Sequence, residues 1–207
     1  QSWETADVRE CLKMIKQKDC LSFWIVNVVW STIARMCDMG LYTHSGIEVW
    51  VASTKNVIWQ LAVLLTMAIS LGLNRNLQMK DAKNLIEKLW ELPALLEKQL
   101  QDTQNIKNIS KKYSQYNNFF FLGRNVLQGT AAECSLKLKE LSYIHAEAYP
   151  TGELKHGPLA LVDPDFPIVA LNPKWDLRDK TISNIKEIKA RSGIVLWVIT
   201  QGDEFTE

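Results

Sequence analysis

Four stretches of this chain are short, predominantly apolar without regular alternation, and rich in β-branched or aromatic residues: LSFWIVNVV at 21–29, NFFFLG at 118–123, FPIVALN at 166–172 and IVLWVIT at 194–200. A strand with one wet face alternates apolar and polar residues. A strand without that alternation is covered on both faces, which is the condition of a parallel sheet sandwiched between helices. Helix-patterned stretches alternate with these runs: Thr5 to about Lys18, STIARMC from Ser31 with a serine cap, a long capped stretch from Ser53, about Thr130 to His145, and about Leu177 to Arg191. GLYTH at 40–44 reads as one further short strand. Helix and strand in turn predict an α/β fold built on doubly wound parallel sheets, three layers deep as α/β/α.

Two such sheets are expected. Residues 1–80 read as the later part of a first domain, and residues 114–207 as a second domain that lacks its C-terminal end. Between them, 81–113 is polar, rich in Lys and Gln and helix-patterned, with Pro93 expected to break it. The two halves share strand-helix alternation but no fixed-period repeat. The apolar run VIWQLAVLLTMAISLGL at 57–73 is interrupted by Gln60, Thr66 and Ser70 and falls short of the ~20 residues of a spanning helix, so it is expected to be buried.

Charge narrows the partners. Lys and Arg number 24 against 23 Asp and Glu, a net charge of +1 that provides no footprint for nucleic acid or an anionic membrane. Any anionic ligand must therefore be held locally. Cys11, Cys20, Cys37 and Cys134 show neither a CxxC pair nor a metal-ligand spacing, which predicts reduced thiols in a cytoplasmic protein with no metal and no cofactor.

Three stretches carry candidate chemistry. In QSWETAD, Ser2 and Thr5 are hydroxyls at a helix start, which suits either an N-cap or one wall of a phosphate cradle. In TAAECSLKLKELSY, Glu133, Lys137 and Glu140 stack on one helical face. They suit either a proton-transfer set, in which the amine stays charged and a carboxylate moves the proton, or a solvated salt-bridge ladder. In YPTGELKHGP, two glycines and two prolines bracket Glu153, Lys155 and His156 in a tight loop, and His156 is either an acid-base group or a surface residue. His145 reads as a packing residue at a helix end, and His44 as a strand-end residue with no evident partner.

The run LKLKELSYIHAEAYPTGELKHGPLALVD at 136–163 resembles the second sugar isomerase domain of the glutamine:fructose-6-phosphate aminotransferase family. QSWETAD, NVVWSTIAR and GIEVWVASTK are similar, in order, to segments of that family's first sugar isomerase domain. The resemblance implies tandem sugar isomerase domains behind a glutaminase domain, assembled at least as a homodimer, that turn fructose 6-phosphate and glutamine-derived ammonia into glucosamine 6-phosphate. It assigns Gln1, Ser2 and Thr5 to the sugar phosphate and places Val51, Ala52 and Ser53 on the same substrate site. It makes Glu140 the proton carrier between carbons 1 and 2, Lys137 its assistant and Glu133 a supporting group. His156, reaching in from the neighbouring subunit, would help open the ring. Three positions depart from the family's pattern: Trp3, Trp30 and Trp50 stand where it has glycine, and an indole offers neither glycine's positive φ nor its close backbone approach. The glutaminase domain and the family's Schiff-base lysine lie outside these residues. The departures keep two other expectations open, a non-catalytic sugar-phosphate sensor and a glutaminase-free isomerase or deglycase.

Overall fold

The computed structural model describes residues 5–203. The chain divides between Asp102 and Thr103 into two compact units.

The first unit holds α1 (Ala6–Lys16), β1 (Phe23–Val26), α2 (Thr32–Met36), β2 (Met39–Tyr42), α3 (Lys55–Leu73) and α4 (Met79–Gln101). Strands β1 and β2 pair in parallel, Phe23 with Met39 through Val26 with Tyr42. Trp24 and Gly40 are partners in that register, and a Cβ on Gly40 would overlap the indole, so glycine lets the aromatic lie flat across the neighbouring strand. Leu12 of α1, Val26 and Ile33 of α2 form the small core, bordered by Trp24 and Tyr42, whose rings lie 4.4 Å apart. Ser31 caps α2 as expected, accepting a hydrogen bond from Ala34 N–H.

Two expectations for this unit fail. The apolar helix α3 is not buried: only Asn56 and Ile69 are, while Trp59, Leu61, Leu64 and Leu71 stay about half exposed. A two-stranded sheet with four residues in each strand is too small to cover a 19-residue helix, which packs mainly on α4. By length and composition alone, α3 is the one helix among the described residues apolar enough to cross a bilayer. Pro93 does not end α4, which runs unbroken through it for 23 residues. Proline removes one N–H donor, and the Leu-, Glu- and Lys-rich turns on either side keep the helix going.

The second unit holds α5 (Gln104–Tyr113), β3 (Asn118–Gly123), α6 (Leu127–Ser142), β4 (His145–Pro150), two 3-10 turns (Leu154–His156 and Pro158–Leu161), β5 (Pro167–Leu171), α7 (Arg178–Lys189) and β6 (Ile194–Val198). Its four strands are all parallel, in the order β4-β3-β5-β6. Strand β3 is central, and its residues serve both faces. Phe120 and Leu122 pack with Ile168, Ile185 and Ile188 towards α7, while Phe119 and Phe121 pack with Ala131 and Ala146 towards α6. That is the three-layer arrangement that apolar runs without regular alternation demand.

Strand β4 overturns one expectation. The helix expected to run to about His145 stops at Ser142 because Tyr143 takes a left-handed conformation (φ 61°), and His145 opens an edge strand. Parallel pairing of Asn118 with His145 through Gly123 with Pro150 supplies backbone hydrogen bonds that outweigh the helix preference of Ala and Glu. His145 is therefore no helix-end packing group: it is exposed, 3.1 Å from the Asn118 side chain and 3.6 Å from Glu147.

Candidate functional site

In the second unit, α6 presents the charged face that its spacing predicts. Lys137 Nζ lies 2.6 Å from Glu140 and 3.4 Å from Glu133, and all three side chains are partly covered. Burial works against the Lys137 ammonium, but its hydrogen bond to Glu140 and the charges of both carboxylates outweigh it and raise its pKa. The lysine is therefore a permanent cation near neutral pH, positioned to hold Glu140 in place and to stabilise negative charge that develops beside it. This face is at once an ion-pair ladder and a restrained carboxylate-amine set.

His156 ends the first 3-10 turn. Leu154, 2% exposed, anchors that turn in the core, and Gly157 at φ 148° redirects the chain immediately afterwards, a conformation side chains other than glycine rarely adopt. The imidazole is thus held outward. It is exposed, and among the described residues it has no hydrogen-bond partner.

In the first unit, the loop from β2 to α3 is organised by two side chains that the sequence reading missed. Asn27, just beyond β1, accepts from Thr43 Oγ1 (3.1 Å) and Ser45 N–H (2.9 Å) and donates to the Gly46 carbonyl (2.7 Å). Glu48 folds back onto the start of α3 and accepts from Thr54 N–H (2.8 Å), Lys55 N–H (3.2 Å) and Ser53 Oγ (3.0 Å). The backbone hydrogen bond from Thr54 is the chief cause of its lowered pKa; desolvation opposes it, and Ser53 and Lys55 add to it. Ser53 was expected to cap this helix. Instead Glu48 caps it from the loop, and the Ser53 proton is committed to Glu48, which leaves the Ser53 oxygen only acceptor capacity. No local sequence pattern signals this, because Glu48 lies seven residues before the helix start and its role needs the loop's return path.

Ala52 is buried at 4% exposure and Val51 is almost fully exposed. A cavity of about 540 Å³ opens beside Glu48, lined also by Asn27, Val28, His44, Gly46, Ile47 and Asn56. His44, which lacked an evident partner in the sequence, borders this cavity and packs near the Tyr42 ring (5.9 Å). Thr5 stands at the N-cap of α1, yet its hydroxyl makes no capping hydrogen bond. Gln1, Ser2 and Trp3 lie outside the described residues. Trp30 has φ 60° and Trp50 is 81% exposed in the loop before Val51. Among the described residues there is no cluster of His, Cys, Asp or Glu fit for a metal ion.

Residues 112–204 match the family model described as the SIS domain. Over 205 residues the chain is 44% identical to glutamine–fructose-6-phosphate aminotransferase [isomerizing] of Thermus thermophilus, and over 207 residues 44% identical to that of Symbiobacterium thermophilum. These alignments cover 99% and 100% of the chain, which spans only 34% of either relative. Among solved structures, the C-terminal domain of glucosamine-fructose-6-phosphate aminotransferase from Francisella tularensis superposes with a TM-score of 0.93 at 42% identity, covering 97% of this chain and 57% of that one.

Proposed function

We propose, from the match of residues 112–204 to the SIS domain and the fold shared with the C-terminal domain of a glucosamine-fructose-6-phosphate aminotransferase, that the chain is the sugar-isomerase part of such an enzyme. It binds fructose 6-phosphate and carries the ketose-to-aldose step that accompanies amino transfer to glucosamine 6-phosphate. The observation that carries this reading is the clamped set on α6, Lys137 between Glu133 and Glu140. Isomerisation needs one group that removes a proton from carbon 1 and returns it to carbon 2. A carboxylate fixed on a rigid helix beside a permanent cation suits that work.

In this reading Glu140 moves the proton, Lys137 steadies the negative charge and Glu133 holds Lys137. His156 serves ring opening in the partner subunit of a cytoplasmic homodimer, which fits its outward and unpartnered ring. Gln1, Ser2 and Thr5 hold the phosphate, while Val51, Ala52 and Ser53 meet the sugar, with Ser53 accepting from a sugar hydroxyl. A glutaminase domain elsewhere in the same polypeptide supplies the ammonia. In the intact protein, Glu140→Gln should leave hexose phosphate binding within a few-fold while abolishing fructose 6-phosphate isomerisation; equal loss of both would make Glu140 a structural residue and sink the assignment.

A second reading, a sugar-phosphate-binding module without turnover, draws on Trp50, a large exposed indole beside Val51 where the resemblance has glycine. Calorimetry showing hexose phosphate binding with no isomerisation would favour it, and measurable isomerisation rejects it.

A further inference from the structure

The C-terminal edge of the second sheet carries a row of polar groups that the chemistry above leaves unused. Strands β4, β3 and β5 lie side by side, with Gly123 level with Pro150 and Leu122 level with Ala170. Continuing those registers, Arg124 is level with Thr151 on one side and Asn172 on the other. Three polar residues thus stand abreast on three adjacent strand ends.

Thr151 and Asn172 are fully buried, at 0% exposure. The Thr151 hydroxyl, both ends of the Asn172 amide and Arg124 Nε are all buried without a hydrogen-bond partner among the described residues. Unpaired buried polar atoms cost stability, and four of them gather on these neighbouring strand ends. The Arg124 guanidinium is also held in place: Nη2 donates to Asn184 of α7 at 2.6 Å.

The location has a physical logic. The chain leaves β3 for β4 on one side and returns to β5 on the other, so the winding reverses between β3 and β5, where Arg124 and Asn172 stand. Open parallel sheets bind ligands at such a reversal, beyond the carboxyl ends of the strands. Helix α6 begins three residues after Arg124, and its positive end adds to the guanidinium charge.

We propose that this reversal point is a second ligand site, separate from the residues assigned to isomerisation, for a small phosphate monoester that carries a hydroxyl group. Arg124 and the Thr151 hydroxyl are donors suited to the phosphate oxygens. The Asn172 amide has its NH2 and its oxygen to satisfy, and the oxygen requires a ligand O–H, which a phosphate ester of a polyol supplies from its carbon chain, further from the phosphorus than the P–OH of inorganic phosphate.

The test uses the intact protein carrying Ser53→Ala, which weakens the proposed substrate site, titrated by calorimetry with sn-glycerol 3-phosphate and, separately, with inorganic phosphate. Saturable binding of sn-glycerol 3-phosphate, tighter than that of inorganic phosphate, is expected. Arg124→Lys should weaken it about tenfold by losing the fork geometry. Thr151→Val is nearly isosteric and should weaken binding several-fold, while raising the melting temperature of the ligand-free protein by removing an unpaired hydroxyl. The proposal is overturned by the absence of saturable binding, by equal affinity for the two probes, by unchanged affinity in Thr151→Val, or by a lowered melting temperature in that variant.

Discussion

Replacing Tyr143 with glycine should stabilise the second unit. Tyr143 follows the last turn of α6 at φ 61° and ψ 11°, in the left-handed region, with its N–H bonded to the Lys139 carbonyl. Its side chain is 95% exposed, so the ring contributes almost no burial. A non-glycine residue in that conformation costs about 1–2 kcal/mol. Glycine removes that cost but gives back about 0.5–1 kcal/mol through the greater freedom of the unfolded chain. The balance is a gain of about 0.5–1 kcal/mol, which for a chain of this size is about 1–4 °C in melting temperature. Because the strain belongs to the backbone, Tyr143→Ala should change little and Tyr143→Asn should fall between alanine and glycine. Urea denaturation followed by far-ultraviolet circular dichroism reads this order as midpoints at constant slope. A glycine variant no more stable than the alanine variant would refute the reasoning, since it would show that the left-handed residue carries no strain.

Trp30→Gly should also stabilise, through the same relief at φ 60°, with a smaller net gain because about a quarter of the indole is covered; the bonds its backbone makes with Tyr42 and Arg35 survive the change. Thermal melts of the two proteins check this. Glu48 is a carboxylate whose folded-state pKa lies below its unfolded value, so its contribution is present above the ordinary glutamate range, about pH 4.3, and is lost as pH falls through the lower folded value. Glu48→Gln should therefore flatten the acid limb of the stability curve measured from pH 5 to pH 2, and an unchanged limb would show that the loop does not depend on this charge. If His156 serves the partner's site, mixing Glu140→Gln and His156→Ala subunits should restore about a quarter of wild-type isomerisation, because half the dimers are mixed and each has one intact site. No recovery on mixing would place His156 in its own subunit's chemistry.

The clearest readings came from residues whose neighbours in sequence are also their neighbours in space. Glu133, Lys137 and Glu140 meet because i+3 and i+4 share a helical face, and NFFFLG forms a strand covered on both faces because its residues after Asn118 are apolar. The helix end at about His145 and the cap at Ser53 failed for the opposite reason. His145 and the residues after it are recruited as an edge strand by pairing with β3, and Glu48 caps the helix from the far side of a loop.

By itself, then, the amino-acid order determined the α/β alternation, the parallel sheets and the charged face of α6, because each follows from local periodicity. Only the tertiary structure decided where β4 lies, that α3 remains half exposed, that Ser53 surrenders its proton to Glu48, and that Arg124, Thr151 and Asn172 stand abreast with unpaired atoms. The Ser53 bond depends on the return path of one loop, and the others on contacts between separate elements, where the hydrogen bonds and cover available at the meeting point outweigh local preference.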